Sequence, residues 1–181
     1  MENKQQEKKM GTMPIGKLLA TMAIPMILSM LVQALYNVVD SVYVSRIGED
    51  ALTAVSLAFP IQNLIIAVAC GLAVGVNSLL SRSLGSKDYE EVQNSAKNGL
   101  FLSLIGTLLF VLFGIFGAHA FFVTQTDIPQ IVADGTIYIK ICSIASFGIF
   151  FEVMFERILQ STGRTIYTLY TQGIGAILNI I

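Results

Sequence analysis

Gln33, Tyr36, Asn37 and Asp40 fall within eight residues of one another, in the stretch QALYNVVDSVY that spans residues 33–43. At helical spacing, Gln33, then Tyr36 or Asn37, then Asp40 follow an i, i+3/i+4, i+7 pattern and share one face. All four can hydrogen-bond, and Asp40 adds a titratable charge. They close a run of 22 residues between Lys17 and Asp40 that carries no formal charge. Carboxylates held out of water exchange protons nearer neutral pH than solvated ones. Such a stripe on a membrane helix therefore has the chemistry of a proton- or cation-exchange site. The same residues also fit a plainer role, with Asp40 at the headgroups and Tyr36 in the aromatic belt. Depth separates the two. A helix that continues to Arg46 places Asp40 about 9 Å below the membrane boundary.

Other residues invite chemistry less directly. Glu152 and Glu156 lie one helical turn apart near the end of an apolar stretch. Glu152 is the deeper of the two and a secondary candidate site, with Arg157 or Arg164 as its expected partner. Pro25 and Pro60 sit inside apolar runs, where each removes one helical hydrogen bond and kinks its helix. Pro25 is thereby a candidate hinge. GLAVG, Gly71 to Gly75, is a small-xxx-small pattern extended by Ala67 and Ser78, which predicts a close-packing stripe. Cys70 and Cys142 lie in apolar runs without a CxxC partner, and His119 is the single histidine. That set does not point to a metal site. HExxH, GxSxG and P-loop patterns are absent from the sequence, so neither an enzyme nor an ATP-driven pump is expected.

These residues need elements to hold them, and composition names the medium. Of 181 residues, 54% are hydrophobic and 13% charged, about half the charge of a soluble domain. The net charge of −1 offers no basic stripe for nucleic acid. The charges cluster between long uncharged intervals, the pattern of a polytopic all-α membrane protein. The intervals predict spans near 17–43, 52–80, 98–118, 137–159 and 165–181, with DIPQIVADGTIY a helical extension or interfacial turn before the fourth. Gly48 is placed as a helix C-cap in the turn SRIGEDAL, and Asp88 as the cap of a short amphipathic helix in the longest connection. With the N-terminus inside, nine Lys and Arg are cytoplasmic and two, Arg46 and Lys140, are outside. Residues 1–17 then form a cytoplasmic tail and 18–181 a transmembrane bundle in the cell membrane. The chain stops inside an apolar run at AILNII, which suggests a fragment of a longer protein.

Three blocks in order carry a resemblance: IPMILSMLVQALYNVVDSVYVSRIGEDALTAVSLAFPIQNL, GLAVGVNSLLSRSLGSKDYEE and FERILQSTGRTIYTLYTQGIGAILNII. From Pro14 onward the chain resembles the first five helices of the multidrug and toxic compound extrusion (MATE) family. The resemblance implies a twelve-helix fold in two lobes, of which this chain holds most of the N-terminal one and lacks the C-terminal one. It also implies an antiporter that exports organic cations against inward protons or sodium, with no other cofactor. Asp40 matches the family's first-helix coupling carboxylate, with Gln33, Tyr36 and Asn37 beside it and Asn179 facing it. The family continues past Asn179 with an aspartate and a proline that this sequence does not reach. A lipid-linked oligosaccharide flippase of the same superfamily shares the architecture but calls for a more cationic cavity. A non-transporting fragment or interaction partner in the membrane is the other alternative.

Overall fold

The computed structural model describes residues 13–46 and 48–180, without the side chains at 36, 37, 40, 41, 44, 45, 179 and 180. Every regular element among the described residues is helical. In chain order these are α1 (Ile15–Ser45), α2 (Glu49–Ser86) and α3 (Tyr89–Leu112). The last continues through a π-helical stretch, Phe113–Gly117, into α4 (Ala118–Val123), and α5 (Pro129–Ser161) and α6 (Thr165–Ile180) follow. Four stretches are long and apolar enough to cross a membrane: Ile15–Leu35, α2, the continuous α3–α4 rod and α5. Helix α6 has 16 residues, or about 24 Å, against the roughly 30 Å of a hydrocarbon core. As described it is short for the fifth expected crossing.

Local chemistry sets the helix ends. Gly48 has φ +153°, a backbone region that side chains disfavour, and it directly precedes α2 rather than capping α1. The connection between α2 and α3 shrinks to two residues. Lys87 turns left-handed at φ +60°, and the Asp88 N–H returns to the Ser83 carbonyl at 3.0 Å. The Asp88 carboxylate then accepts from the Glu91 N–H at 3.1 Å, the expected cap. The helix it caps is no short insert, however, but the start of α3. Nothing in YEEVQNSAKNG breaks a helix, so its charges ride on the spanning rod. Pro129 occupies the first turn of α5, where its missing N–H costs nothing, and DIPQIVADGTIY becomes a helical extension.

Packing reverses the soluble pattern. Small and polar side chains such as Ser103, Thr107, Ser143 and Ser146 are buried, while Phe101, Leu109 and Phe116 are 62%, 62% and 77% exposed. Without a hydrophobic drive between helices in lipid, close approach of small residues holds them together. The core forms where α2, α3–α4 and α5 meet, in three layers along the bundle. Ala58, Ala118, Phe122 and Ile139 form one end, Ile65, Ala69 and Phe150 the middle, and Ala73, Val76, Leu80 and Met154 the other end. Gly106 lies under the Phe150 ring so closely that an added methyl would come within 2.5 Å of it, and Gly135 stands closer still to Phe122.

The expected packing stripe is displaced. Gly71 and Gly75 face open space, and α2 packs through Ala54, Ala58, Ala69 and Ala73 instead. Gly71 lies about 200° around the helix from Ala69 at 100° per residue, so the two stripes cannot both face the core. Helix α1 stands apart. It leans mainly on α6 and only lightly on α2, and α6 in turn touches α5 lightly.

Candidate functional site

The seam between the α1–α6 pair and the core encloses a cavity of about 260 Å³. Four helices line it. Ser29 and Gln33 come from α1, Cys70 from α2, Glu152, Glu156, Arg157 and Gln160 from α5, and Gln172 from α6. The α5 residues Glu152, Glu156 and Gln160 are spaced by four, so they stack on one helical face.

Amides hold the carboxylates. Gln172 Nε2 donates to Glu152 Oε1 at 3.0 Å, bridging α6 to α5 across the seam. Gln160 Nε2 donates to Glu156 Oε1 at 3.1 Å, and its own Oε1 accepts from Arg157 at 2.6 Å. The Arg157 Nε is buried without a hydrogen-bond partner among the described residues. Ser29 is 4% exposed, and its hydroxyl donates to the Pro25 carbonyl at 2.8 Å. That bond occupies the backbone group one turn before Ser29, inside the helix that Pro25 interrupts.

The residues picked from sequence divide into two groups. Gln33 and Glu152 meet in this cavity, which their separation along the chain does not announce. Tyr36, Asn37 and Asp40 continue the α1 helix past Gln33, and Asn179 lies in α6, which packs on α1; their side chains lie outside the described residues. Pro25 is interior to α1, as expected. One expectation fails. Glu152 makes no ion pair with Arg157 or Arg164 among the described residues; its partner is Gln172. Arg157 lies five residues on, about 140° around the helix, and reaches Gln160 instead.

Sequence inspection missed Gln160, Gln172 and Ser29. Gln160 had a usable signal, since it extends the Glu152–Glu156 spacing by one more turn. Gln172 had only its rarity, as one of two amides, with Asn179, in an otherwise apolar and hydroxyl-bearing helix. A second polar contact, also unforeseen, ties α2 to α5 nearer the other end. There Gln62 Nε2 donates to the Tyr138 hydroxyl at 2.8 Å and lies 3.8 Å from the Cys142 sulfur.

The MatE family model matches residues 25–181. This chain belongs to the MatE family. Among curated proteins, the MatE chain is 27% identical over 177 residues to the FAD transporter of Shewanella oneidensis, covering 93% of this chain and 37% of that protein. It is 29% identical over 147 residues to multidrug and toxin extrusion protein 2 of Mus musculus, covering 80% of this chain and 25% of the relative. Among solved structures, a MOP superfamily transporter from Pyrococcus furiosus superposes with a TM-score of 0.86 at 32% identity, over 91% of this chain and 36% of that one. The chain thus spans well under half the length of these relatives. Its relatives are transporters, and the apolar helices make it a multi-pass membrane protein.

Proposed function

We propose that this MatE chain forms part of an ion-coupled antiporter that exports organic cations across the cytoplasmic membrane in exchange for protons or sodium. Residues 1–17 are a cytoplasmic tail, and 18–181 belong to a first lobe that works against a second lobe. The observation that carries this reading is the cavity in the seam. It is lined by Gln33 of the polar α1 face and by two carboxylates against one guanidinium, which gives a net negative site within the helical bundle. Asp40 lies seven residues beyond Gln33, about 10 Å outward on the same helix face, and serves as the coupling carboxylate. Tyr36, Asn37 and Asn179 position it. Protonated, Asp40 loses its attraction for a cation; deprotonated, it regains it. A pH gradient supplies about 1.4 kcal/mol per unit, and a membrane potential about 2.3 kcal/mol per charge per 100 mV.

The Shewanella oneidensis relative motivates a second reading, export of a flavin dinucleotide. The negative cavity disfavours it, because a pyrophosphate would meet two carboxylates and one guanidinium there. The same charge balance disfavours the flippase. The test is Asp40→Asn in the complete transporter, with drug efflux measured in vesicles at matched expression across pH 6 to 8, a range that brackets a raised carboxyl pKa. The swap keeps shape and hydrogen bonding while removing the titratable charge. Coupled export is expected to disappear while insertion stays normal. Efflux like the parent's would return Asp40 to the headgroups.

A further inference from the structure

We propose that Glu152 is the anionic centre of a second cation site, separate from Asp40, that takes one alkali-metal ion in the seam between the α1–α6 pair and the three-helix core. The proposal deepens the transport reading and rests on its membrane setting, but it does not require Asp40 to be the coupling group.

Charge is the first support. The charged groups lining the cavity are Glu152, Glu156 and Arg157. The arginine's field acts on Glu156, its neighbour in sequence, and its hydrogen bond goes to Gln160. Glu152 receives one neutral amide proton, from Gln172, and no cationic partner among the described residues. Glu152 lies on a helix long and apolar enough to cross a membrane, so its carboxylate, without a protein cation, leaves one negative charge to neutralise. A single positive charge balances the site. A divalent ion would invert its sign.

Donor chemistry is the second support. Alkali ions are held by hard oxygen ligands, carboxylate and neutral alike. Ser29, 4% exposed, gives its only proton to the Pro25 carbonyl, so its oxygen lone pairs remain as acceptors toward the cavity it lines. Gln172 donates through Nε2, which leaves its carbonyl oxygen available, and Gln33 adds another amide on the α1 wall. These donors come from α1, α5 and α6, so an ion here would join the two halves of the seam.

Size is the third. A volume of about 260 Å³ lies below the roughly 300–1,000 Å³ of drug-sized ligand pockets. At about 30 Å³ per water it holds an ion with part of its hydration shell. Access is provided by Glu152 itself, which is exposed, as is its hydrogen bond to Gln172.

The experiment uses the intact chain in lipid nanodiscs, with sodium exchanged for N-methylglucamine at constant ionic strength. Radioactive sodium binding and thermal unfolding are followed together. Saturable sodium binding and a sodium-dependent rise in Tm are expected, both lost in Glu152→Gln. The Gln variant's Tm without sodium should match or exceed the parent's, which shows that it folds. Ser29→Ala and Gln172→Leu should weaken sodium binding, and they keep the test informative if Glu152→Gln fails to fold. Absence of any sodium effect in the parent, or its persistence in Glu152→Gln, overturns the site. Loss in Asp40→Asn with retention in Glu152→Gln also overturns it and moves the ion to Asp40. An equal Tm rise with tetramethylammonium overturns the alkali-ion assignment in favour of an organic ammonium group. Failure of Asp40→Asn to affect efflux would leave this result untouched, so the two readings fail separately.

Discussion

Gln33 links what is proposed for Asp40 to what is seen around Glu152, because it shares a helix face with one and a cavity with the other. The role proposed for it follows from what it lacks. An amide can orient a carboxylate and its water, but it cannot carry the coupled proton. Gln33→Ala and Tyr36→Phe are therefore expected to lower efflux less than Asp40→Asn in the same vesicle assay. Equal loss in all three would place the function in the shape of the stripe rather than in its charge. Of this stripe the structure describes only the Gln33 side chain, which lines the cavity; the shared face of Tyr36, Asn37 and Asp40 remains an expectation from the i, i+3/i+4, i+7 spacing. The Glu152–Gln172 bond was not legible in the sequence. Its partners lie 20 residues apart on different helices, and no local rule favours an amide over the nearby arginines.

At the scale of elements, the helices were largely legible, because long uncharged runs between charge clusters leave little else to form in lipid. What failed was the choice of packing face. GLAVG carries the expected small-residue spacing, yet α2 uses an alanine stripe about 200° away, and the tight glycine contacts lie at Gly106 and Gly135. Spacing states that a face can approach closely; the neighbour's bulk decides which face does. Gly106→Ala should therefore destabilise the core by about 1–3 kcal/mol, the usual range for overpacking, read as a fall in Tm in detergent. Gly71→Ala, facing open space, should be near neutral by comparison. Helix α1 poses a different question. Proline leaves the Thr21 carbonyl without its helical partner and so lowers the cost of bending at Pro25. Pro25 and Asp40 are 15 residues apart, about 22 Å, so any coupling between them runs through helix geometry and not contact. Pro25→Ala in the complete transporter is expected to flatten the pH dependence of efflux while leaving insertion unchanged. An unchanged pH profile would make the kink static.

For the whole molecule, the seam is the feature that sequence could not supply. Composition predicts a bundle, but the division into a tight α2, α3–α4 and α5 core and a looser α1–α6 pair depends on contacts between distant helices. That division bears on the proposed transport. Alternating access moves one bundle against another around a site at mid-membrane, and the lightly packed seam, crossed by the Gln172–Glu152 hydrogen bond, is the proposed boundary within this chain for such a movement. It is nevertheless a movement within the described helices, while this chain covers 37% and 25% of its curated relatives. A cavity open alternately to each side needs a second wall of comparable size. Residues 1–181 expressed alone should consequently insert, place a cysteine substituted for Lys87 on the cytoplasmic side, and confer no drug efflux. Co-expression with a C-terminal half from a homologous transporter should restore efflux only if the two halves associate, which co-purification reports. Robust efflux by residues 1–181 alone would refute the need for that second wall and require two copies of this chain to build the cavity between them, a state that cross-linking in the membrane would reveal.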